Sequence, residues 1–268
     1  MEDPHRSYVS GVTEWREIGA AIYVRHHERY DVNVGLVVGD AACLVIDTRE
    51  SLAAGRELAA AVRTITSAPW TVVNTHSHFD HFLGNAAFVP AEIWALDRCR
   101  DDIAESGKYQ LHAYGDGDAT PLVVPTHTYA PPGRELDIGG RTIILHHPGR
   151  GHTDNDTVIG VDGVVFAGDL VEEGAAPAFE DAYPLDWPDT IDALLRVVGG
   201  PVVPGHGDVV DRGFVTEQRT LLEAVRLVAR SGAGPDEWAR TGLPERSGRV
   251  ALERARVQLE GGLSSRRD

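Results

Sequence analysis

The sequence predicts a mixed α/β fold, and three observations predict it. Two apolar hairpins turn at Gly39-Asp40 and Asp162-Gly163, pairs with strong turn chemistry. Stretches with helical spacing of apolar residues fall between the short strands. The chain has 268 residues, 42% of them hydrophobic, which is enough for one large core.

Taken in order, the first hairpin predicts strands over Val32–Val38 and Cys43–Asp47, both rich in β-branched residues. Leu52, Leu58, Ala59 and Val62 predict a helix over Ser51–Thr64, and TVVNT predicts a buried strand over Thr71–Thr75. A short strand over Glu92–Ala95 and a helix over Arg98–Glu105 follow. Gly107–Pro132 carries scattered Gly and Pro and reads as an irregular, functional loop. Strands resume at Thr142–His146, Thr157–Val161 and Val164–Ala167. Pro188 suits the first turn of a helix over Pro188–Val198. A strand at Val202–Val203 leads into PGHG, and helices over Phe214–Arg230 and Arg249–Leu259 close the chain. VGLVVGDAACLVIDT and DTVIGVDGVVFAGDL echo each other, each a hairpin ending in an aspartate, Asp47 or Asp169. No Pro-, Gly- or Ser-rich linker divides the chain. We therefore expect one domain over 1–268, with a core over about 15–230 and a C-terminal helical extension over 231–268.

A net charge of −16 argues against a broad electrostatic grip on nucleic acid, and Lys108 is the only lysine. No run of about 18 apolar residues predicts a membrane span. MEDPHRSYVSGVTEW lacks the basic start and apolar stretch of a secretory signal, so the expected location is cytoplasmic. Cys43 and Cys99 lack metal-site spacing. The expected partner is a small-molecule substrate, not nucleic acid or membrane; oligomeric state is not encoded legibly.

Chemistry concentrates in NTHSHFDHFL, which holds His76, His78, Asp80 and His81 as H-x-H-x-D-H. Imidazole nitrogen and carboxylate oxygen are the donors that zinc and similar cations accept. A strand ending at Thr75 would put this cluster on the loop beyond it, with His76 and His78 facing one way. Burying four titratable groups without partners would be costly, so a packing role is poor physics. Three further residues sit at strand ends on Gly-bearing turns: His152 in GRGHTDND, Asp169 in VVFAGD and His206 in VVPGHGD.

In this order, the H-x-H-x-D-H, GHT, GD and PGHG elements resemble the metallo-β-lactamase superfamily over about residues 30–215. The resemblance implies a four-layered αββα sandwich of two mixed β-sheets. It implies one metal held by His76, His78 and His152, a second held by Asp80, His81 and His206, and Asp169 bridging both. Two zinc ions per chain are expected, with iron or manganese acceptable. Two such metals ~3.5–4 Å apart would share an activated hydroxide that attacks an electrophilic centre. Asp80 would also be catalytic, orienting that hydroxide. Asp47 is implied as support behind the ligands, and Asn155 stands where relatives often have Gly.

The expected activity is hydrolysis of an ester, thioester, lactone or β-lactam in a small molecule. Asp169 stands in place of the cysteine ligand of one major β-lactamase subclass. Phe179, Tyr183 and Trp187 are candidate apolar pocket contacts, on a Glu172–Trp187 loop facing the Gly107–Pro132 loop. His146 and His147 are candidates for groups behind the metal; His26, His27, His112 and His127 read as surface residues. Two alternatives remain. One is an iron oxygenase like the persulfide dioxygenases, with His76, His152 and Asp169 as ligands. The other is a non-catalytic metal-binding protein on the same scaffold.

Overall fold

The computed structural model describes residues 14–115 and 121–261. The N-terminal segment that suggests a cytoplasmic location, and positions 116–120 of the expected loop, fall outside them.

The first half of the chain gives β1 (Arg16–Gly19), β2 (Ile22–His27), β3 (Val32–Val38) and β4 (Cys43–Ile46), paired antiparallel in sequence order. Helix α1 (Leu52–Ile65) then crosses to β5 (Trp70–Val73). Strands β4, β5, β6 (Ile93–Leu96) and β7 (His127–Tyr129) run parallel to one another. A four-residue helix α2 (Phe79–Phe82) and the long α3 (Asp97–Tyr114) fill the connections. The second half repeats the plan. Strands β8 (Gly133–Asp137), β9 (Thr142–His146), β10 (Val158–Val161) and β11 (Val164–Glu172) are antiparallel, and β12 (Val202–His206) runs parallel to β11. Helix α4 (Trp187–Leu195) joins β11 to β12, and α5 (Arg212–Arg230) and α6 (Glu245–Leu259) follow. The halves meet where β3 and β12 pair, at Val32 opposite His206.

Side-chain alternation assigns the layers. On β3 and β4, Val34, Leu36, Cys43 and Val45 pack with Leu58 and Val62 of α1. Their neighbours Val37, Leu44 and Ile46 instead meet Ile143, Leu145, Ile159 and Phe166 from the second half. On the far side Val165, Ala167 and Val202 pack with Ile191, Leu194, Leu222 and Val225 of α4 and α5. Helix, sheet, sheet, helix is therefore the order, as the resemblance implied, although hydrogen bonding continues across the β3–β12 pair. Fully burying each of Leu58 and Val62 contributes about 1.5–3 kcal/mol to holding α1 on its sheet. Ser51 caps that helix by accepting from the Ala54 amide at 3.1 Å.

Some elements differ from the expectation. Arg25, His26 and His27 interrupt the apolar alternation of β2, so periodicity does not reveal β1 and β2. Gly133–Asp137 escapes the same signal because it is a largely exposed edge strand. The Gly107–Pro132 loop is corrected: α3 runs through Gly107 to Tyr114, and His127–Tyr129 is a strand. Gly107 is a contact glycine here, since a Cβ would lie 2.8 Å from the Leu122 side chain. Among the described residues, no helix is long and apolar enough to cross a membrane.

Candidate metal centre

All seven residues singled out in the sequence converge where the two halves meet, although Asp169, expected at a strand end, lies inside a strand that runs on to Glu172. His76, His78, Asp80 and His81 come from the segment between β5 and α2, with Asp80 and His81 inside α2 itself. His152 lies on the turn after β9, Asp169 within β11 and His206 at the end of β12. They form two groups, His76–His78–His152–Asp169 and Asp80–His81–His206, each with one donor atom per residue, all within 4.8 Å of one another.

Asp169 stands between the groups. Its Oδ2 lies 3.5 Å from His76 Nε2, 3.4 Å from His152 Nε2 and 3.2 Å from His206 Nε2. Its Oδ1 lies 3.2 Å from His81 Nε2. Asp80 Oδ2 is 3.5 Å from His206 Nε2 and 3.8 Å from His81 Nε2. Donors at zinc-ligand distance on a tetrahedron are about 3.3–3.5 Å apart, so the spacing suits a shared cation. The buried Nε2 atoms of His76 and His81 and Oδ1 of Asp169 carry no hydrogen bond, which leaves a donor atom open in each group.

Each imidazole is oriented by what its other nitrogen touches. His76 Nδ1 donates to Thr75 Oγ1 at 3.0 Å, and that hydroxyl donates to Asp47 Oδ2 at 2.8 Å. His81 Nδ1 donates to the same Asp47 oxygen at 2.8 Å. His206 Nδ1 donates to the Tyr30 carbonyl at 2.7 Å. His78 points Nδ1 inward, 2.8 Å from His152 Nε2, and its Nε2 contacts Asp181 at 2.8 Å. Asn155 ties two ligand turns together: it accepts from the Ser77 amide at 3.1 Å and donates to the Ser77 hydroxyl at 3.1 Å. Close packing shapes the cradle as well. A Cβ at Gly205 would fall 1.7 Å from Asp169 Oδ1.

Crowding controls the protons of the metal-free centre. Burial pushes the Asp169 carboxyl up, but His206 and the other imidazoles outweigh it and hold it well below the usual carboxylate range. Burial depresses His206 and His78, but Asp169 lifts the first to about 10 and Asp181 the second to about 9. Burial holds His152 down at about 4. Glu172, pushed up by burial and by the Asp169 charge, reaches about 8.

The structure redistributes the remaining candidates. Phe179 and Trp187 are 1% and 0% exposed and fill the second-half core, so neither offers an open pocket wall. Trp187 donates to the Leu170 carbonyl at 3.2 Å, and its ring packs 5.9 Å behind that of His152. Tyr183 is 9% exposed and donates to Asp154 at 2.9 Å. His27, expected at the surface, is buried. His146 and His147 donate to the Pro132 and Asp156 carbonyls. The sequence gives no sign of an aromatic stack beside the centre. Phe79, between His78 and Asp80, lies edge-on to Tyr30 at 5.0 Å and stacks on Tyr114 at 4.4 Å. Tyr30 and Tyr114 are both exposed. Their separation along the chain hides this, as it hides Asp181, an unremarkable loop acid in sequence.

Comparison with known proteins identifies the family and the fold. The sequence model of the metallo-beta-lactamase superfamily matches residues 27–206. A type 2 metallo-beta-lactamase of Bacillus cereus is 32% identical over 95 residues, covering 33% of this chain and 37% of the relative. One from Bacillus sp. (strain 170) is 30% identical over 159 residues, 57% of each chain. The chain thus spans between a third and three-fifths of the curated relatives it matches. Among solved structures, a metallo-beta-lactamase from Pontibacter korlensis superposes with a TM-score of 0.67 at 22% identity, covering 79% of this chain and 99% of that one. One from Pseudomonas aeruginosa, in a mono-zinc form, gives 0.63 at 19% identity over 79% and 95%. At those identities the likeness speaks for the fold.

Proposed function

The chain belongs to the metallo-β-lactamase superfamily, and from that membership and its seven converging side chains we propose a hydrolase with two zinc ions per chain. Its substrate is a small molecule with an ester, thioester, lactone or β-lactam bond. The carrying observation is the pair of donor groups sharing Asp169. His76, His78 and His152 would hold one cation, Asp80, His81 and His206 the other, and Asp169 would touch both. Histidine and carboxylate donors without a thiolate suit zinc. A single-iron oxygenase would leave Asp80, His81 and His206 without employment, so the second donor group favours the hydrolase.

Cations in these positions would supply Lewis acidity, lowering the pKa of water towards neutrality and polarising the scissile carbonyl. The chain's own residues do the rest. Asp169 places negative charge between the two positions and offsets their repulsion. Asp80, 7% exposed, presents a carboxylate that accepts a proton from the attacking water and orients it. Thr75, Asp47 and the Tyr30 carbonyl fix the imidazole tautomers before substrate arrives. Burial of His76, His81 and His152 keeps the local dielectric low and strengthens each of these interactions. Tyr30 and Tyr114, with Phe79 of the ligand segment between them, offer an aromatic surface for a substrate's acyl or ring portion.

The test is metal quantification on purified protein, followed by a panel of ester, thioester, lactone, β-lactam and phosphodiester substrates. Two zinc ions per chain, with turnover abolished by chelation and restored by zinc, is the expected result. One iron per chain with oxygen consumption would replace this reading with the oxygenase.

A further inference from the structure

Asp181 belongs to the loop between β11 and α4, and its side chain is 58% exposed. Its Oδ2 lies 2.8 Å from Nε2 of His78. Of the candidate ligands with a hydrogen-bonded second nitrogen, His76 and His81 are served by buried side chains, Thr75 and Asp47, and His206 by the backbone carbonyl of Tyr30. Among these four, His78 alone is served by an exposed side-chain carboxylate. The loop is fastened immediately after its carboxylate. The Tyr183 amide donates to the Gly151 carbonyl at 2.8 Å, next to His152. Helix α6 reaches in as well: Arg254 donates through Nε and Nη2 to the Ala182 carbonyl at 3.4 and 3.3 Å. Gln258 accepts from the Leu185 amide at 3.0 Å. Helix α6 begins at Glu245, beyond residue 206 where the family match ends.

We infer that Asp181 is a positioning residue for His78, and that α6 holds it in place. This rests on the proposed metal centre. A carboxylate on Nε2–H fixes the tautomer with its lone pair on Nδ1, the atom facing His152, and makes that nitrogen a stronger donor. Ala182 is the next residue along the chain, so pinning its carbonyl limits how far Asp181 can swing. A helix outside the family core thereby reaches a ligand of the centre through one carboxylate.

Zinc titration of the metal-free, full-length protein against a chromophoric chelator tests this without reference to turnover. Wild type is expected to take up two zinc ions. Asp181→Ala is expected to weaken one of them by about 10–100-fold and leave the other unchanged, the usual size of such an effect. Asp181→Asn keeps an acceptor without the charge and should fall between the two. Arg254→Ala should shift the same zinc in the same direction by a smaller factor. Far-UV circular dichroism of each variant should match wild type, because Asp181 is exposed and Arg254 only half-buried. Two zinc affinities unchanged in Asp181→Ala would overturn the role of Asp181 and leave the metal centre standing. A wild type that binds no zinc would overturn both.

Discussion

Oδ2 of Asp47 lies 2.8 Å from Nδ1 of His81 and, through the Thr75 hydroxyl, also steadies His76. One buried carboxylate therefore supports an imidazole from each donor group. It can do so because Asp47 adopts φ 64°, a left-handed conformation that ends β4 and turns the side chain back over Thr75. Asp47→Ala should weaken both zinc sites, each by about 10–100-fold. That pattern differs from Asp181→Ala, which should affect one. Stepwise zinc titration of the two variants side by side checks it; a single weakened site in Asp47→Ala would contradict the shared support.

Gly205 is the tightest point of the cradle. A methyl group added there would sit only 1.7 Å from Asp169 Oδ1, far inside van der Waals contact. Gly205→Ala must push the carboxylate out of the space between the two groups. A misplacement of about 1 Å is enough to lower turnover by roughly 100-fold. Zinc content measured alongside kcat should fall as well, and a variant retaining both would show that β12 can retreat.

The metal-free protein should lose stability as pH rises from about 7 to 10. His78 and His206 titrate at about 9 and about 10, above their ordinary value, and Glu172 at about 8, above its own. A group with a raised folded-state pKa stabilises fully below its unfolded value and loses that contribution as pH climbs through the folded one. All three therefore act in the same direction. Zinc binding near neutral pH must displace the protons on His78 and His206, so affinity should increase over the same interval. Thermal unfolding of the metal-free form across this range, and zinc calorimetry in buffers of different ionisation enthalpy, provide the measurements. A flat melting temperature would contradict the assignment.

Phe179 is a core residue, at 1% exposure and 5.4 Å from the Trp187 ring. Phe179→Ala should cost about 3–5 kcal/mol of stability. Denaturant unfolding would show this, while KM measured well below the transition should stay close to wild type. A raised KM at unchanged stability would return Phe179 to the substrate.

What the sequence reveals and what it hides follow from the range of the interactions. His76, His78, Asp80 and His81 are legible because their chemistry is packed into six positions, and His152, Asp169 and His206 because each follows a β-branched strand and a glycine. Val32–Val38 and Thr142–His146 are legible because alternation within a strand is local. Asp181 is not legible, because its meaning depends on a side chain 103 positions away. The Tyr30–Phe79–Tyr114 stack is hidden for the same reason. Trp187 misleads because a large aromatic on a loop-to-helix junction carries no mark of which way it faces, and here it is itself the first residue of α4, with the indole turned inward.

The β3–β12 ladder is one rung long, Val32 opposite His206, and only scattered backbone hydrogen bonds add to it across the halves, such as the Thr157 amide to the Thr75 carbonyl at 2.7 Å and the Asp40 amide to the Gly139 carbonyl at 3.2 Å. The donors are divided across that seam: four come from before it, and His152, Asp169 and His206 from after it. An ion gripped from both sides would act as a rivet. Loaded protein should then open as a single cooperative unit, whereas in stripped protein one portion could breathe without the other, and amide exchange at β12 would quicken first.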